Sequence, residues 1–328
     1  MIAAPPVKTI VHVVGARPNY MKIAPLMRAL DGDARIRQVL VNTGQHYDDA
    51  MAQAFVRDLD LPTPDYDLEV GSASHAVQTA RVMMKFEEVC LQERPDLVVV
   101  VGDVNSTMAA SLVAAKLLVP IAHVEAGLRS NDRTMPEEIN RIVTDRLADI
   151  LLTPSADADA NLLAEGVPRE RIHLVGNIMI DSLLRHLPAA TLDRVRDRVP
   201  VTDRQYAVLT LHRPSNVDEP GVFSRILAAV TTIANQMPVV FPVHPRTRQR
   251  LGQFGFEDSL RRLIVTDPLG YIDFLSLTSH ARLIITDSGG LQEESTALAQ
   301  NGTPLRPDLW DGRTAERMVH VLRTFLGL

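Results

Sequence analysis

Polar residues able to do chemistry recur at one kind of position in this chain, directly after a short apolar run. Arg17 and Lys22 follow Thr9 to Val14, Gln45 and His46 follow Ile36 to Val41, and Asp103 follows Leu97 to Val101. Glu125 follows Ile121 to Val124, and Glu137 opens the helix after it. Further on, His212 and Arg213 follow Tyr206 to Leu211, His244 and Arg246 follow Val239 to Val243, and Ser288 follows Leu283 to Ile285. Three carboxylates are too many for a phosphate pocket alone, because like charges repel there. They suit proton transfer at a sugar carbon, which needs an acid and a base facing the reacting atom. His212 is suited to protonate a leaving diphosphate or to accept a proton.

The stretch Thr286-Asp287-Ser288-Gly289-Gly290-Leu291-Gln292-Glu293-Glu294 reads as a strand-to-helix turn. Glycines allow close backbone approach, and a helix start offers free N–H groups and the positive end of a dipole. Ser288, Gly289 and Gly290 are therefore a candidate phosphate seat, with Arg213 and Arg246 as nearby cations. Glu294 falls one turn into the helix, where a ribose could lie. Each group also has a plainer use: Ser288 as an N-cap, Asp103 as a cap of the following helix, Glu137 as a complement to a helix dipole, His212 as a core histidine, Arg17 and Lys22 as solvated charges, His46 as a turn residue. Their common phase, one group per strand end, favours a shared site over separate accidents. No G-x-G-x-x-G follows the first strand and no Walker loop occurs, so a dinucleotide or P-loop protein is not expected. No HExxH or close His pair points to a metal, and neither metal nor cofactor is expected.

The elements that carry these groups alternate. Strand and helix follow one another from Thr9 to Val175 and again from Tyr206 onward, and the strands are apolar on both faces. That pattern predicts an α/β protein with two doubly wound, Rossmann-like domains, parallel sheets covered by helices and a cleft between them. The expected boundaries are residues 1–176 with a returning helix at 313–328, and residues 177–312. Helices are expected at Asp48 to Asp58 and Thr191 to Arg198, and loop from Leu61 to Ser74. Within 328 residues, hydrophobic residues make up 46% and charged residues 23%, at a net charge of -6. That is a globular composition with no basic face for nucleic acid. Cys90 is the one cysteine, so no internal disulfide forms and a cytoplasmic setting is expected. The first residues lack the apolar core of a signal peptide, and no apolar run reaches the length of a membrane span.

Taken together, Gly15-Ala16-Arg17-Pro18 with Lys22, Thr43-Gly44-Gln45-His46, Gly102-Asp103, His123-Val124-Glu125-Ala126-Gly127-Leu128-Arg129, Met135-Pro136-Glu137-Glu138-Ile139-Asn140-Arg141, Leu211-His212-Arg213 and Asp287 to Glu294 resemble the motifs of the non-hydrolysing UDP-N-acetylglucosamine 2-epimerases. The motifs run in family order over almost the whole chain. The resemblance implies the GT-B arrangement, a homodimer, and an isomerase of cell-surface polysaccharide biosynthesis that interconverts UDP-GlcNAc and UDP-ManNAc. It implies elimination of UDP, a bound 2-acetamidoglucal and re-addition. It also places Asp103, Glu125, Glu137 and His212 at catalytic positions, and Arg17, Lys22, Phe274, Ser288, Gly289, Gly290 and Glu294 at substrate-contacting ones. On the same basis Phe274 lies against the uracil, backbone around Leu269 reads its edge, and Glu294 takes the ribose hydroxyls. A related UDP-sugar epimerase, a hydrolysing epimerase, a GT-B glycosyltransferase and a non-catalytic UDP-sugar-binding protein are the competing readings. The chain departs from the pattern after Ala299, where a strand, a helix and a loop carrying the family's diphosphate-binding Arg are missing. Either this is a true deletion, which would leave a sheet edge uncovered and activity weak or absent, or a disordered segment has dropped out of the sequence and its numbering closed up.

Overall fold

The computed structural model describes residues 7–44, 59–298 and 307–328. The chain divides into two compact units, Met1–Ser182 with Pro307–Leu328, and Leu183–Arg306. In the first unit the strands are β1 (Lys8–Val14), β2 (Ile36–Asn42), β3 (Tyr66–Asp67), β4 (Leu97–Val101), β5 (Ile121–Val124), β6 (Ile150–Thr153) and β7 (Ile172–Leu174). They form one sheet in the order β3-β2-β1-β4-β5-β6-β7, every pair parallel. The helices are α1 (Arg17–Leu30), α2 (His75–Glu93), α3 (Asn105–Lys116), α4 (Pro136–Leu147), α5 (Ala156–Ala164) and the start of α6 (Ile178–His186), which runs into the second unit after Ser182.

The apolar strands explain the layering. In β4 all five residues are buried, because side chains alternate between two helix-covered faces. Val98 and Val100 join Val11, Val13 and Val39 in the core under α2, whose Val82, Phe86 and Val89 point inward. α3 is rich in small residues, and buried Ala109, Ala110 and Ala114 let it pack between α2 and α4. Cys90 is buried and free, and burial followed by the Glu87 charge pushes its thiol up to about 12. The loop expected from Leu61 to Ser74 contributes the two-residue edge strand β3, paired to β2 through Val41 and Asn42. The expected helix at Asp48 to Asp58 lies outside the described residues.

Among the described residues the second unit has four parallel strands, β8 (Ala207–Thr210), β9 (Val239–Pro242), β10 (Ile264–Thr266) and β11 (Leu283–Thr286), in the order β10-β9-β8-β11. Its helices are α7 (Pro214–Val217), α8 (Pro220–Ala234), α9 (Pro245–Phe254), α10 (Tyr271–Ser279) and α11 (Gly289–Leu298). One face of the sheet packs on Phe223, Leu227 and Leu251, the other on Leu192, Tyr206 and Leu277. The helix expected from Thr191 to Arg198 is instead a 3-10 turn at Leu192–Arg194 followed by irregular chain. Leu192, Val195 and Val199 still bury against the sheet, so the apolar spacing served packing without a full helix. Among the described residues β11 is an edge strand, and all four of its residues are half-buried. The connection after Ala299 lies outside the described residues.

The last helix, α12 (Thr314–Leu326), belongs to the first unit and packs on α1. Asp181 of α6 accepts hydrogen bonds from the amides of Thr314 and Ala315, seating its N-terminus.

Candidate active site

Each sheet reverses its strand order once, between β1 and β4 in the first unit and between β8 and β11 in the second. Ligands of such sheets bind outside the carboxyl ends of the strands at that reversal. The candidate residues gather at both places.

In the first unit the strand ends are stitched together by polar side chains. Asn19 accepts from the amides of Gly15 and Ala16 and donates to the Val101 carbonyl at 3.0 Å, tying the end of β1 to the end of β4. Thr43 and Ser106 share a hydrogen bond of 2.7 Å, and a Cβ at Gly15 would lie 2.4 Å from Ser106 Oγ. Only glycine lets these ends approach so closely. Beside them Lys22 pairs with Glu125, and Arg141 Nη1 donates to Asp103 Oδ2 at 2.5 Å. Each cation offsets the charge of the carboxylate it pairs with. Glu125 itself has φ +71, an uncommon backbone state for a side-chain-bearing residue and one found preferentially at functional sites.

Below this turn, His123 is fully buried between acceptors, with Nδ1 2.6 Å from Asp145 Oδ1 and Nε2 2.8 Å from the Gly102 carbonyl. Asp145 also accepts from the Gly127 amide and Arg129. Burial works to raise Asp145, but His123 and Arg129 outweigh it and hold its carboxyl below the ordinary range. The turn that presents Asp103 is thus fastened to the loop that presents Glu125. Glu138 accepts from the Ser130 and Asn131 amides and from Arg141, and these bonds overcome burial to hold it down at about 2. Glu137, its neighbour, stands exposed in the first turn of α4 with no hydrogen bond or ion pair among the described residues. It is not drawn to Asp103 or Glu125.

In the second unit His212 leaves β8 with its side chain 43% exposed, and its Nδ1 lies 2.9 Å from Asp287 Oδ1. A carboxylate acceptor at Nδ1 places the hydrogen there and leaves Nε2 for chemistry. Asp287 also accepts from the His212 and Arg213 amides and from Asn216. Burial opposes its ionisation, but these bonds, led by that of His212, hold Asp287 well below the usual carboxylate range. Ser288 does cap α11, accepting from the Leu291 amide at 3.4 Å. The amides of Gly289 and Gly290 open the helix and have no intrahelical acceptor. The Arg213 guanidinium comes within 3.8 Å of where a Gly289 Cβ would be, so cation and helix start face the same space. Arg246 is instead held by Asp218 at 2.5 Å, with Arg250 on the other carboxylate oxygen.

Leu269 and Phe274 are half-buried against the Tyr206 and Leu277 cluster. Glu294 is buried and accepts from the Tyr271 hydroxyl at 3.1 Å. Arg17 opens α1, but its side chain is not among those described, and Gln45 and His46 lie outside the described residues. The sequence motifs alone assign no role to Asn19, Arg141, Asp287 or Tyr271. Arg141 was legible in part, since it falls one helical turn beyond Glu137 and Glu138. Among the described residues no group of three or more His, Cys, Asp or Glu is placed to hold a metal ion.

Two Rossmann-like units, each carrying a charged cluster at its strand-order reversal, are the construction of GT-B-type proteins. A family model for UDP-N-acetylglucosamine 2-epimerase matches residues 28–308. The UDP-N-acetylglucosamine 2-epimerase of Methanocaldococcus jannaschii is 40% identical over 318 residues, covering 94% of this chain and 87% of the relative. The UDP-2,3-diacetamido-2,3-dideoxy-D-glucuronate 2-epimerase of Pseudomonas aeruginosa is 41% identical over 290 residues, covering 87% of this chain and 80% of the relative. A crystal structure of the M. jannaschii UDP-GlcNAc 2-epimerase, in complex with UDP-GlcNAc and UDP, superposes with a TM-score of 0.88 at 34% identity, over 96% of this chain and 99% of that one. The chain belongs to the UDP-N-acetylglucosamine 2-epimerase family.

Proposed function

We propose that this protein interconverts UDP-GlcNAc and UDP-ManNAc. The observation that carries the proposal is the set of ion-paired carboxylates, Asp103 with Arg141 and Glu125 with Lys22, at the β1/β4 reversal. A carboxylate of this set takes the C2 proton, and the C1–O bond breaks with its electron pair leaving on UDP. His212, oriented by Asp287, attends the diphosphate as it departs and returns. The bound 2-acetamidoglucal is reprotonated at C2 on the opposite face and UDP adds back at C1. Glu137 has a catalytic role by motif alone. Ser288, Gly289, Gly290 and Arg213 receive the diphosphate, Phe274 and the backbone near Leu269 the uracil, Glu294 the ribose, and Arg17, Lys22, Gln45 and His46 complete the substrate contacts.

Incubation with UDP-GlcNAc in deuterated water tests the reading: deuterium enters at C2 and UDP-ManNAc accumulates. Absence of both with the full-length chain would overturn it. The 41% identity to the P. aeruginosa diacetamido-glucuronate epimerase favours a second reading, the same inversion on a related UDP-sugar. A UDP-sugar panel scored for C2 exchange separates the two. A true deletion of the Arg loop after Ala299 would set the expected turnover low in either case.

We further propose a homodimer through α2, whose Val77, Met84 and Leu91 are exposed apolar residues on a helix that also carries Arg81, Lys85, Glu87 and Glu88. An antiparallel pairing about Met84 brings Val77 opposite Leu91 and Arg81 opposite Glu87. A cytoplasmic location goes with this reading, on the solitary free thiol of Cys90.

A further inference from the structure

The second unit buries a carboxylate that the elimination chemistry does not use. Glu294 in α11 is 4% exposed, and the Tyr271 hydroxyl at the start of α10 donates to its Oε1 over 3.1 Å. Tyr271 is equally buried, and its ring meets His186 edge-on, with centroids 5.8 Å apart at 79°. A phenol wedged in this way has little freedom to move its ring, so packing fixes the position of its hydroxyl oxygen, and the O–H turns to Glu294.

We propose that Tyr271 is a positioning residue for nucleotide binding, its hydroxyl holding the Glu294 carboxyl in the orientation that receives the ribose 2′ and 3′ hydroxyls. The proposal rests on the reading of Glu294 as the ribose ligand. It adds a proton linkage to that reading. Burial pushes Glu294 up to about 7, the Tyr271 hydrogen bond pulls it back in part, and the Glu293 charge raises it again. Burial, then the Glu294 charge and hydrogen bond, pushes the Tyr271 phenol well above its ordinary value, so it remains a donor through neutral pH. Among the described residues, the titratable groups facing Glu294 are Tyr271 from α10 and Glu293 from its own helix. The neighbouring strand β11, Leu-Ile-Ile-Thr, brings none. A carboxylate accepts two ribose hydroxyls where a carboxylic acid accepts less well, so nucleotide binding favours the ionised form and releases a proton. Affinity for the ribose therefore rises as pH increases through 7 and levels above it.

The test is titration calorimetry of the full chain with UDP and with 2′,3′-dideoxy-UDP, from about pH 6 to about pH 9 in buffers of different ionisation enthalpy. The difference between the two ligands isolates the ribose from titration of the terminal phosphate. In the wild-type protein UDP binds more tightly than its dideoxy analogue, the margin widens through pH 7, and UDP alone releases the additional proton. Tyr271→Phe weakens UDP about fivefold at pH 7 and moves the pH break upward, leaving dideoxy-UDP within about twofold. Glu294→Gln removes both the pH dependence and the margin. Should Tyr271→Phe bind UDP as wild type does, with the same pH break, while Glu294→Gln loses the margin, the role of Tyr271 is overturned and the ribose reading stands. Equal binding of the two ligands by the wild type overturns both. The proton count on the wild type needs no variant, and the absence of extra release with UDP also overturns the linkage.

Discussion

At the residue scale, Asp287 shows how a catalytic candidate is aimed. It binds the backbone of His212 and Arg213 as well as the His212 ring, so one buried carboxylate sets both where the histidine leaves the strand and which nitrogen it presents. His212→Asn is expected to lower kcat about 10²- to 10⁴-fold with UDP affinity little changed, read by steady-state kinetics and calorimetry. Asp287→Asn should lower kcat more than it raises KM, because an amide nitrogen then faces donors that need an acceptor. Glu294 makes a second prediction. Its carboxyl sits at about 7 when folded and near the ordinary 4.5 when unfolded. The native state therefore holds the proton that the unfolded chain has lost, and stability falls as pH rises from about 4.5 to 7. That loss is of order 3 kcal/mol. Urea denaturation across this window should show the decline in the wild type and a flatter profile in Glu294→Gln.

At the element scale, the loop after β5 is held by geometry that few residues tolerate. Gly127 has φ +82, and a Cβ there would lie 2.5 Å from the Ala158 carbonyl of α5. Gly127→Ala must move either α5 or the loop carrying Glu125, and should cost about 1–3 kcal/mol with a fall in kcat, checked by thermal denaturation and C2-exchange rates. The edge strand β11 has the opposite character. Its half-buried Leu283, Ile284 and Ile285 leave apolar surface and unpaired backbone on one side among the described residues, the condition that favours strand-to-strand association. Ile284→Lys is a poor remedy, because Ile284 also packs against the Tyr206 cluster.

At the scale of the whole molecule, the exposed apolar face of α2 is the feature most out of keeping with a monomer. Met84 is 70% exposed and Leu91 60%. Met84→Glu with Leu91→Glu is expected to convert a dimer to a monomer in light scattering after gel filtration, with the circular dichroism spectrum unchanged, since neither side chain supports the core. A wild-type monomer at micromolar concentration would remove the dimer proposal. The construction of each unit also explains why its polar groups are found where they are: parallel strands all end on the same side, so each new βα turn adds a group to the same rim.

How much of this was legible in the chain follows from which signals are local. The apolar runs declared parallel, doubly covered strands because a strand buried on both faces needs no polar alternation, and β4 is the clear case. The polar groups after those runs were legible because a strand end is fixed by its own residues. Partnership is not local. Glu137 and Glu138 are adjacent and alike in sequence, yet helix phase buries Glu138 under the Ser130 turn and leaves Glu137 exposed. Arg213 and Arg246 both follow strands, yet Asp218 takes up Arg246. Thr191 to Arg198 has helical spacing, but packing on the sheet face needed only a 3-10 turn there. The sequence alone determined the strand–helix alternation, the family and the residue types at the strand ends. The tertiary structure decided the strand order, hence which ends flank each reversal, and the pairing of Lys22 with Glu125, Arg141 with Asp103, His212 with Asp287 and Tyr271 with Glu294, because these contacts join residues whose proximity exists only once the sheets have formed.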